Sequence, residues 1–393
     1  MYAKVILKSG KDQSARRFHP WIFSGAIKKI KGEVSEGDIV EVYDNKEELL
    51  GIGHFQIGSI AVRIISFTDS EINENFWFEK IQKAYEYRKK LGITDNDNTN
   101  VYRLLHAEGD GMPGVIIDFY NGTAVIQMHS IGMAMEVNKI VDALKAVLGD
   151  KLKAVYNKSE ATLPFKAEFK LPDGLLFGES VTNIVEEYGN KFKISWVDGQ
   201  KTGFFIDQRE NRKLLQSYSK GKKVLNVFGY TGGFSVYAMQ GEAELVHSVD
   251  SSKKAIELTD ENIKLNFGDD ARHKSFAVDA FGFLEDIDDK YDVIILDPPA
   301  FAKHHNVLNN ALQGYKRINA KAIESIKKGG ILFTFSCSQV VTKENFRKAV
   351  FSAAASTGRN VKILHQLTQP VDHPVNIYHP EGEYLKGLVV YVE

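Results

Sequence analysis

From about residue 222 onward, short strand-like runs alternate with longer helix-like runs, and this alternation limits the folds open to the chain. The predicted strands are residues 224–228, 245–250, 275–278, 293–296 and 331–335, with helices predicted over 234–239, 252–265 and 318–326. A repeated strand–helix–strand order favours a mostly parallel sheet with helices on both faces. We therefore predict an α/β class for the chain, with a C-terminal Rossmann-like sheet.

The first 180 residues follow a different pattern. Strand-type alternation broken by glycines predicts a small β barrel near the N-terminus. An amphipathic helix is predicted from Glu74 to Leu91, a hairpin at Asn121-Gly122 and a further helix over 133–148, which together indicate a middle α+β domain. Because 393 residues exceed one ordinary domain, we predict three domains: 1–72, 73–180 and 181–393.

Charge is distributed unevenly although the net charge is only −1. Residues 1–31 carry eight basic residues against Asp12, and residues 32–70 carry eight acids against Lys46 and Arg63. A basic stripe of this kind is typical of a face that meets phosphate, although a mixed solvated surface has the same composition.

Several classes of protein are disfavoured by what the sequence lacks. It has no run of 18 apolar residues and no signal-peptide pattern at its N-terminus. We expect a cytoplasmic protein with no membrane association. The single cysteine, Cys337, excludes an internal disulfide and a cysteine-based zinc cluster, and the histidines lack zinc spacing, so we expect no metal.

The ends of the predicted strands carry the residues that indicate a cofactor. The first strand runs into a Gly-x-x-Gly-Gly loop, whose spacing disfavours a nicotinamide dinucleotide. The helix that follows offers free N–H groups to a carboxylate. Asp250 ends the second strand and suits two ribose hydroxyls, while Asp279 is predicted to end the third and suits an adenine amino group. These features predict S-adenosylmethionine (SAM) as cofactor, held by Asn226, Phe228, Gly229, Tyr230, Thr231, Gly232, Gly233, Asp250, Ser251, Asp279, Ala280, Phe281, Asp297 and Pro298.

Two further strand ends carry candidate catalytic residues. The fourth strand runs into Asp297-Pro298-Pro299, where the prolines force a turn and present Asp297. The fifth runs into Ser336-Cys337-Ser338. Carbon 5 of cytosine is a poor nucleophile, and a thiolate that adds to carbon 6 makes carbon 5 reactive, so Cys337 is predicted to be a covalent nucleophile. Asp297 is predicted to hold the base at its N3/N4 edge. The target base must be unpaired or flipped out.

Several strings resemble one known family, the bacterial RlmI-type 23S rRNA (cytosine-C5)-methyltransferases, over nearly the whole chain. The strings are 17–25 (Arg-Phe-His-Pro-Trp-Ile-Phe-Ser-Gly), 106–114, 199–209, 228–234, 297–301, 336–338, His373-Pro374 and 384–387. The resemblance implies a PUA RNA-binding domain at the N-terminus, Cys337 as nucleophile, and Asp250, Asp279 and the 229–233 loop on SAM. It also implies ribosomal RNA (23S) as partner, and we allow for a homodimer.

Candidate RNA contacts follow from the same strings: Arg17, His19, Trp21, Gln208, Arg209, Pro299, Phe301 and His373. For His19 and Trp21, aromatic core packing is an equal alternative. In another branch of 5-methylcytosine enzymes a second cysteine lies in the Asp-Pro-Pro segment and assists product release. Here Pro299 and Ala300 take that position, so another group must promote elimination.

Two alternative functions remain at this stage. A guanine-N7 or exocyclic-amine methyltransferase could use the same fold and an Asp-Pro-Pro motif, but it would tolerate loss of Cys337. A non-catalytic RNA-binding or ribosome-assembly module would not bind SAM.

Overall fold

The computed structural model describes residues 2–164, 168–179, 182–287, 289–302 and 304–393. The chain divides into two compact units. The first comprises Met1–Val185, Ser195–Phe204 and Val371–Gly382, and the second comprises Glu186–Ile194, Phe205–Pro370 and Glu383–Glu393. No helix in the described part of the chain combines the length and apolar character that crossing a bilayer requires.

The first unit begins with a six-stranded sheet. Its elements are β1 (Ala3–Leu7), α1 (Gln13–Arg16), β2 (Trp21–Phe23), β3 (Ile27–Lys31), β4 (Ile39–Tyr43), β5 (Leu49–Phe55) and β6 (Ile60–Ser66). The strand order is β2-β6-β5-β4-β1-β3. Alternate side chains such as Val5, Leu7, Val40 and Val42 form one buried cluster, as a sheet with one apolar face requires. The predicted N-terminal β fold is confirmed.

A second sheet and three helices complete the first unit. They are α2 (Glu74–Lys90), β7 (Val101–His106), β8 (Val115–Tyr120), β9 (Thr123–Met128), α3 (Ile131–Met135), α4 (Val137–Leu148), β10 (Ala154–Asn157) and β11 (Gly174–Gly178), with strand order β11-β10-β9-β8-β7. Asn73 caps α2 by accepting from the Phe76 N–H. Asn121 and Gly122 both have positive φ, as a two-residue type I′ hairpin turn demands. The predicted helix and hairpin are therefore both present.

The second unit contains a seven-stranded sheet with helices and a short hairpin. Its elements are β12 (Ile184–Glu187, which starts just before the unit), β13 (Asn190–Lys193), α5 (Arg209–Tyr218), β14 (Lys223–Val227), α6 (Gly233–Gln240), β15 (Leu245–Asp250), α7 (Lys253–Phe267), β16 (His273–Ala277), α8 (Ala280–Phe283), β17 (Val293–Leu296), α9 (Leu308–Ser325), β18 (Gly330–Ser336), α10 (Lys343–Thr357), β19 (Val361–Leu367) and β20 (Lys386–Val392).

The strand order in this sheet is β16-β15-β14-β17-β18-β20-β19. The first five strands are parallel, and β20 is antiparallel to both β18 and β19. The predicted parallel Rossmann-like sheet is confirmed. The two C-terminal strands were not predicted. Six of the seven residues of β20 are buried, and a strand buried on both faces has no alternation to recognise.

Two predicted boundaries in this unit are wrong. Helix α9 starts at Leu308, well before the predicted residue 318. The prediction missed its first turns because they are mostly polar and include Gly314. Strand β16 ends at Ala277, so Asp279 does not end the strand but caps α8.

A buried ion pair stabilises the second unit. The Arg212 guanidinium donates to both carboxylate oxygens of Glu187, at 2.9 and 2.8 Å, and both side chains are almost fully buried. The Tyr237 hydroxyl also donates to Glu187, at 3.0 Å. Removing one partner of such a pair leaves an uncompensated buried charge.

We predict that Arg212→Met lowers the free energy of unfolding by about 3–5 kcal/mol, because the Glu187 carboxylate is left buried and unpaired. Thermal unfolding followed by circular dichroism measures the loss. The double variant Arg212→Met/Glu187→Gln should recover most of it. A double variant as unstable as the single one would show that the charge on Glu187 is not the cause.

Candidate active site

The carboxyl ends of the parallel strands gather the predicted site residues along one edge of the second unit's sheet. Strand β14 lies between β15 and β17, and β18 follows β17. Strands β15 and β16 lie on one side of β14 and strands β17 and β18 on the other, and ligands of open α/β sheets bind at such a switch point in the strand order. The glycine-rich loop, Asp250, Asp297 and Cys337 directly follow β14, β15, β17 and β18 or end them.

The glycine-rich loop has a strained backbone that α7 holds in place. Phe228 and Tyr230 adopt positive φ angles of 62° and 45°, a conformation that non-glycine residues rarely take and that recurs at functional sites. The Thr259 hydroxyl donates to the Tyr230 carbonyl at 2.8 Å, and the Asn262 amide donates to the Thr231 carbonyl at 2.9 Å. The hydrogen bonds from α7 therefore fix the conformation of the loop without a bound ligand.

Gly232 is the position in this loop where no side chain fits. Its φ is +75°, and a Cβ there would lie 2.7 Å from Cγ2 of Thr259. It also precedes the first residue of α6, whose N-terminal N–H groups are available to an anion.

The two acidic side chains predicted to bind SAM both accept hydrogen bonds from backbone N–H groups. Asp250 accepts from the Tyr230 N–H at 3.1 Å with one oxygen and from the Ser252 N–H at 2.9 Å with the other. Asp279 is exposed and accepts from the Gly282 N–H at 2.9 Å as the cap of α8. A carboxylate has about four acceptor sites, so each retains capacity for a hydroxyl or an amino group.

The other predicted cofactor residues differ in accessibility. Asn226 is buried, with its amide donating to the Ser235 hydroxyl at 2.9 Å, so it supports the loop from inside. Ser251 is exposed, whereas Ala280 and Pro298 are buried. Phe281 is half-buried, and the Arg317 guanidinium lies 4.6 Å from its ring centre.

Asp297 lies at the end of β17 in a network that fixes its orientation. Its Oδ2 accepts from the Gln208 side-chain amide at 3.0 Å, and the Gln208 oxygen accepts from Asn211 at 2.6 Å. Burial raises the pKa of Asp297 to about 7, and the nearby charge of Asp207 contributes to the same shift. The side chain can therefore either donate or accept a proton near neutral pH.

Cys337 lies just beyond β18 and is half-buried. Burial raises the pKa of its thiol to about 12, with Asp297 and Asp207 adding to the rise and Lys386 opposing it. A nucleophilic thiolate needs the opposite shift. The protein must therefore offset the burial and the two carboxylates when the thiol reacts.

Three residues of this cluster were not among the predicted site residues: Asp207, Tyr384 and Lys386. Asp207 receives a 2.8 Å hydrogen bond from the Tyr384 hydroxyl on Oδ2, while its buried Oδ1 has no hydrogen-bond partner among the described residues. Lys386 is buried and donates to the carbonyls of Ser338 and Tyr384. Asp207 and Lys386 come from strings that the sequence analysis had quoted. A lysine that opens the apolar run of β20 was the one local signal.

The remaining predicted RNA contacts of the second unit lie near this cluster in sequence but differ in exposure. Gln208 and Arg209 are buried. Pro299 is exposed, and Phe301 is half-buried with its ring 4.6 Å from that of Tyr315. Gln208 is thus hydrogen-bonded to Asp297, and of these four residues Pro299 is the exposed one.

In the first unit, one predicted RNA contact is exposed and the others are partly or fully buried. Arg17 is exposed. Trp21 donates through its indole N–H to Glu108 at 2.9 Å, and its ring lies 4.4 Å from that of His379. His373 is buried, and its Nδ1 lies 3.0 Å from Asp372. Within this unit, only Arg17 has the exposure of a surface contact, and the RNA roles of all four residues, His19 included, stay predictions.

One group of possible metal ligands occurs among the described residues: His19, His379 and Glu381 in the first unit. The Trp21 backbone N–H donates to Nδ1 of His19 at 3.2 Å, and His19 Nε2 lies 3.3 Å from Glu381. A neutral ring that accepts at Nδ1 carries its proton on Nε2. His19 therefore fits a hydrogen bond to Glu381 better than a metal bond.

Comparisons with known proteins agree with this geometry. Residues 167–376 match the family model described as S-adenosylmethionine-dependent methyltransferase, and residues 5–67 match the PUA-like domain model. A putative methyltransferase named SMU.776, solved in complex with SAH, has a TM-score of 0.85 at 24% identity, with 99% of this chain and 100% of that chain covered. A putative SAM-dependent methyltransferase from Streptococcus mutans has a TM-score of 0.84 at 23% identity, with the same coverage of both chains.

Fold and site together define a SAM-dependent methyltransferase with an N-terminal PUA-like domain. Among curated proteins, ribosomal RNA large subunit methyltransferase I of Alteromonas mediterranea is 39% identical, covering 99% of this chain and 98% of the relative. The protein of that name from Escherichia coli is 36% identical, covering 98% of each. The chain belongs to the ribosomal RNA large subunit methyltransferase I family.

We predict that Gly232→Ala weakens SAM binding at least tenfold, because the added Cβ meets Thr259 and forces the loop to shift. Isothermal titration calorimetry measures the affinity. Gly268→Ala is the matched control, since Gly268 also has a positive φ of +70° but nothing within 4 Å of the added Cβ. Equal affinities for the two variants would contradict the role of the loop.

We predict that Asp297→Asn stabilises the protein at about pH 8 and has little effect at about pH 4. The pKa of Asp297 is raised from 3.8 to about 7, so the folded state retains a proton that the unfolded state loses. Stability therefore falls as pH rises between these values, by up to about 4 kcal/mol. Thermal unfolding of both proteins across this range checks the prediction, and a pH-independent difference would contradict it.

Proposed function

We propose that the protein forms 5-methylcytosine in large-subunit ribosomal RNA through a covalent adduct between Cys337 and carbon 6 of the base. The observation that supports this most is the placement of Cys337. The only cysteine in the chain follows β18, which neighbours the strand that leads to Asp297, β17, and lies two strands from β14 and its glycine-rich loop. Methylation of a ring nitrogen or an amine has no need of a thiol there.

The cofactor pocket in this proposal consists of the glycine-rich loop, Asp250 and Asp279. Asp250 has remaining acceptor capacity for ribose hydroxyls and Asp279 for an amino group, and Phe281 offers an aromatic face next to Asp279. The chemistry of these groups fits SAM, which when bound supplies an electrophilic methyl group.

Cys337 and Asp297 have different roles in the reaction of the base. The Cys337 thiolate forms a bond to carbon 6, and protonated Asp297 delivers its proton to nitrogen 3, so that the ring becomes an electron-rich enamine. Carbon 5 is the nucleophilic atom of that enamine. After methyl transfer, a water molecule takes the proton on carbon 5, and the electron pair of that C–H bond forms the C5–C6 double bond and expels the Cys337 thiolate. Nitrogen 3 then returns its proton to Asp297. A pKa of about 7 for Asp297 suits both transfers.

We assign RNA positioning to the N-terminal domain, residues 1–72, followed by a middle domain, 73–180, and the catalytic domain, 181–393. The exposed Arg17 and the lysines of β1 and β3 provide positive charge on the N-terminal sheet. Such charges contact phosphates and fix register without reading sequence. We place the enzyme in the cytoplasm, and the homodimer stays a prediction.

Trapping tests the proposal. Incubation of the protein and SAM with ribosomal RNA that contains 5-fluorocytosine should give a protein–RNA adduct that survives denaturation, because fluorine at carbon 5 blocks elimination. The adduct should be absent for Cys337→Ala. Cys337→Ser is the matched control for side-chain size, and it should also give no adduct, because a serine hydroxyl is a far weaker nucleophile than a thiolate.

Two other outcomes would point elsewhere. Methyl transfer that persists in Cys337→Ala without any adduct would favour a guanine-N7 or exocyclic-amine methyltransferase. Absence of both SAM binding and methyl transfer would favour a non-catalytic RNA-binding or ribosome-assembly module.

A further inference from the structure

Among the residues that the structure describes, Lys386 is the lysine that acts on Cys337 electrostatically, and two contacts fix the course of its side chain. Its backbone lies opposite Ser336 in the antiparallel pairing of β18 with β20. Its Nζ donates to the Ser338 carbonyl. These two contacts flank Cys337 in sequence, so the Lys386 side chain runs alongside the residue between them. The side chain is only 4% exposed, which is rare for lysine.

Among the described residues, the hydrogen bonds of Lys386 leave one bonding position of its nitrogen open. The carbonyls of Ser338 and Tyr384 accept two N–H groups, the latter at 2.6 Å. An amine nitrogen has four positions, of which one is bonded to Cε. The remaining position is an N–H in the ammonium form and a lone pair in the neutral form.

We propose that Lys386 activates Cys337 by accepting the thiol proton and remaining as an ammonium ion beside the thiolate. The S–H bond breaks, its electron pair stays on Sγ, and a new N–H bond forms on Nζ. The thiolate that leaves the base at the end of the reaction returns to the same ammonium partner. This inference rests on the proposed covalent mechanism and names the group that makes its nucleophile available.

The electrostatics around the pair agree with this role. Burial lowers the pKa of Lys386 to about 8, against the opposing effects of Cys337 and Glu383, so a neutral fraction exists at physiological pH. Asp297 and Asp207 face Cys337 from two other segments and raise the pKa of its thiol. Tyr315 also lies close, and burial raises its own pKa to about 12. Among these neighbours, Lys386 is the one whose charge favours the thiolate.

Alkylation of the folded, full-length protein by iodoacetamide tests the inference without RNA. Because Cys337 is the sole cysteine, mass spectrometry of the intact chain reports on this thiol alone. The rate is measured across a pH series. Loss of the Lys386 charge should move the thiol's pKa upward by at least one unit, so Lys386→Gln should react at least tenfold more slowly at a given pH.

The choice of variants separates chemistry from structure. Lys386→Gln keeps N–H donors for the two carbonyls but loses the charge, whereas Lys386→Met loses both. Lys343→Met is the matched control, because Lys343 is an exposed neighbour that pairs with Glu383 and its loss changes the net charge equally. It should alkylate within about twofold of the wild type. SAM affinity, measured in parallel, identifies variants whose site is intact.

Slow alkylation in both Lys386 variants, with SAM affinity retained, supports the inference. An alkylation pH profile of Lys386→Gln that coincides with that of the wild type overturns it. If Lys386→Met alone is slow in that case, the role of Lys386 is structural. Neither result affects the trapping experiment. Absence of the 5-fluorocytosine adduct in wild-type protein would remove the covalent mechanism whatever the alkylation profiles show.

Discussion

Parallel pairing of β14, β17 and β18 is the constraint on which the site depends. Val224 to Val227 lie in register with Val293 to Leu296, which in turn lie in register with Ile331 to Thr334. Three segments that are far apart in sequence therefore end at one edge of the sheet. The glycine-rich loop, Asp297 and Cys337 are neighbours because of this register, and a shift of a single strand would separate them.

Burial at that edge then determines the chemistry. The same low-polarity surroundings raise the pKa values of Asp297 and Cys337 and lower that of Lys386. For Asp297 the shift is useful, because a carboxyl group that titrates near neutral pH can give and take a proton. For Cys337 it is a cost, because burial disfavours the thiolate. Lys386 opposes that rise, and we propose it as the group that makes the thiolate available.

The supporting shell of the site comes from elements outside the five parallel strands. Helix α7 holds the carbonyls of the glycine-rich loop through Thr259 and Asn262. The segment before α5 supplies Asp207 and Gln208, and the start of β20 supplies Tyr384 and Lys386. These groups restrain the orientations of the glycine-rich loop and Asp297, so the candidate site is organised without a bound ligand.

The sequence by itself determined the sheet and its principal residues. Alternating strand and helix patterns, together with loops at strand ends, predicted the parallel order and placed the glycine-rich loop, Asp250, Asp297 and Cys337 at one edge, since parallel strands must end there together. Strand β20 escaped prediction because it is buried on both faces and lacks alternation, and α9 was predicted too short because its first turns are polar. Only the tertiary structure decided that Gln208 orients Asp297 and that Lys386 donates to the carbonyl of Ser338, the residue after Cys337. Such contacts join residues tens to about a hundred positions apart, and they depend on antiparallel register and side-chain packing, which no local pattern in the sequence encodes.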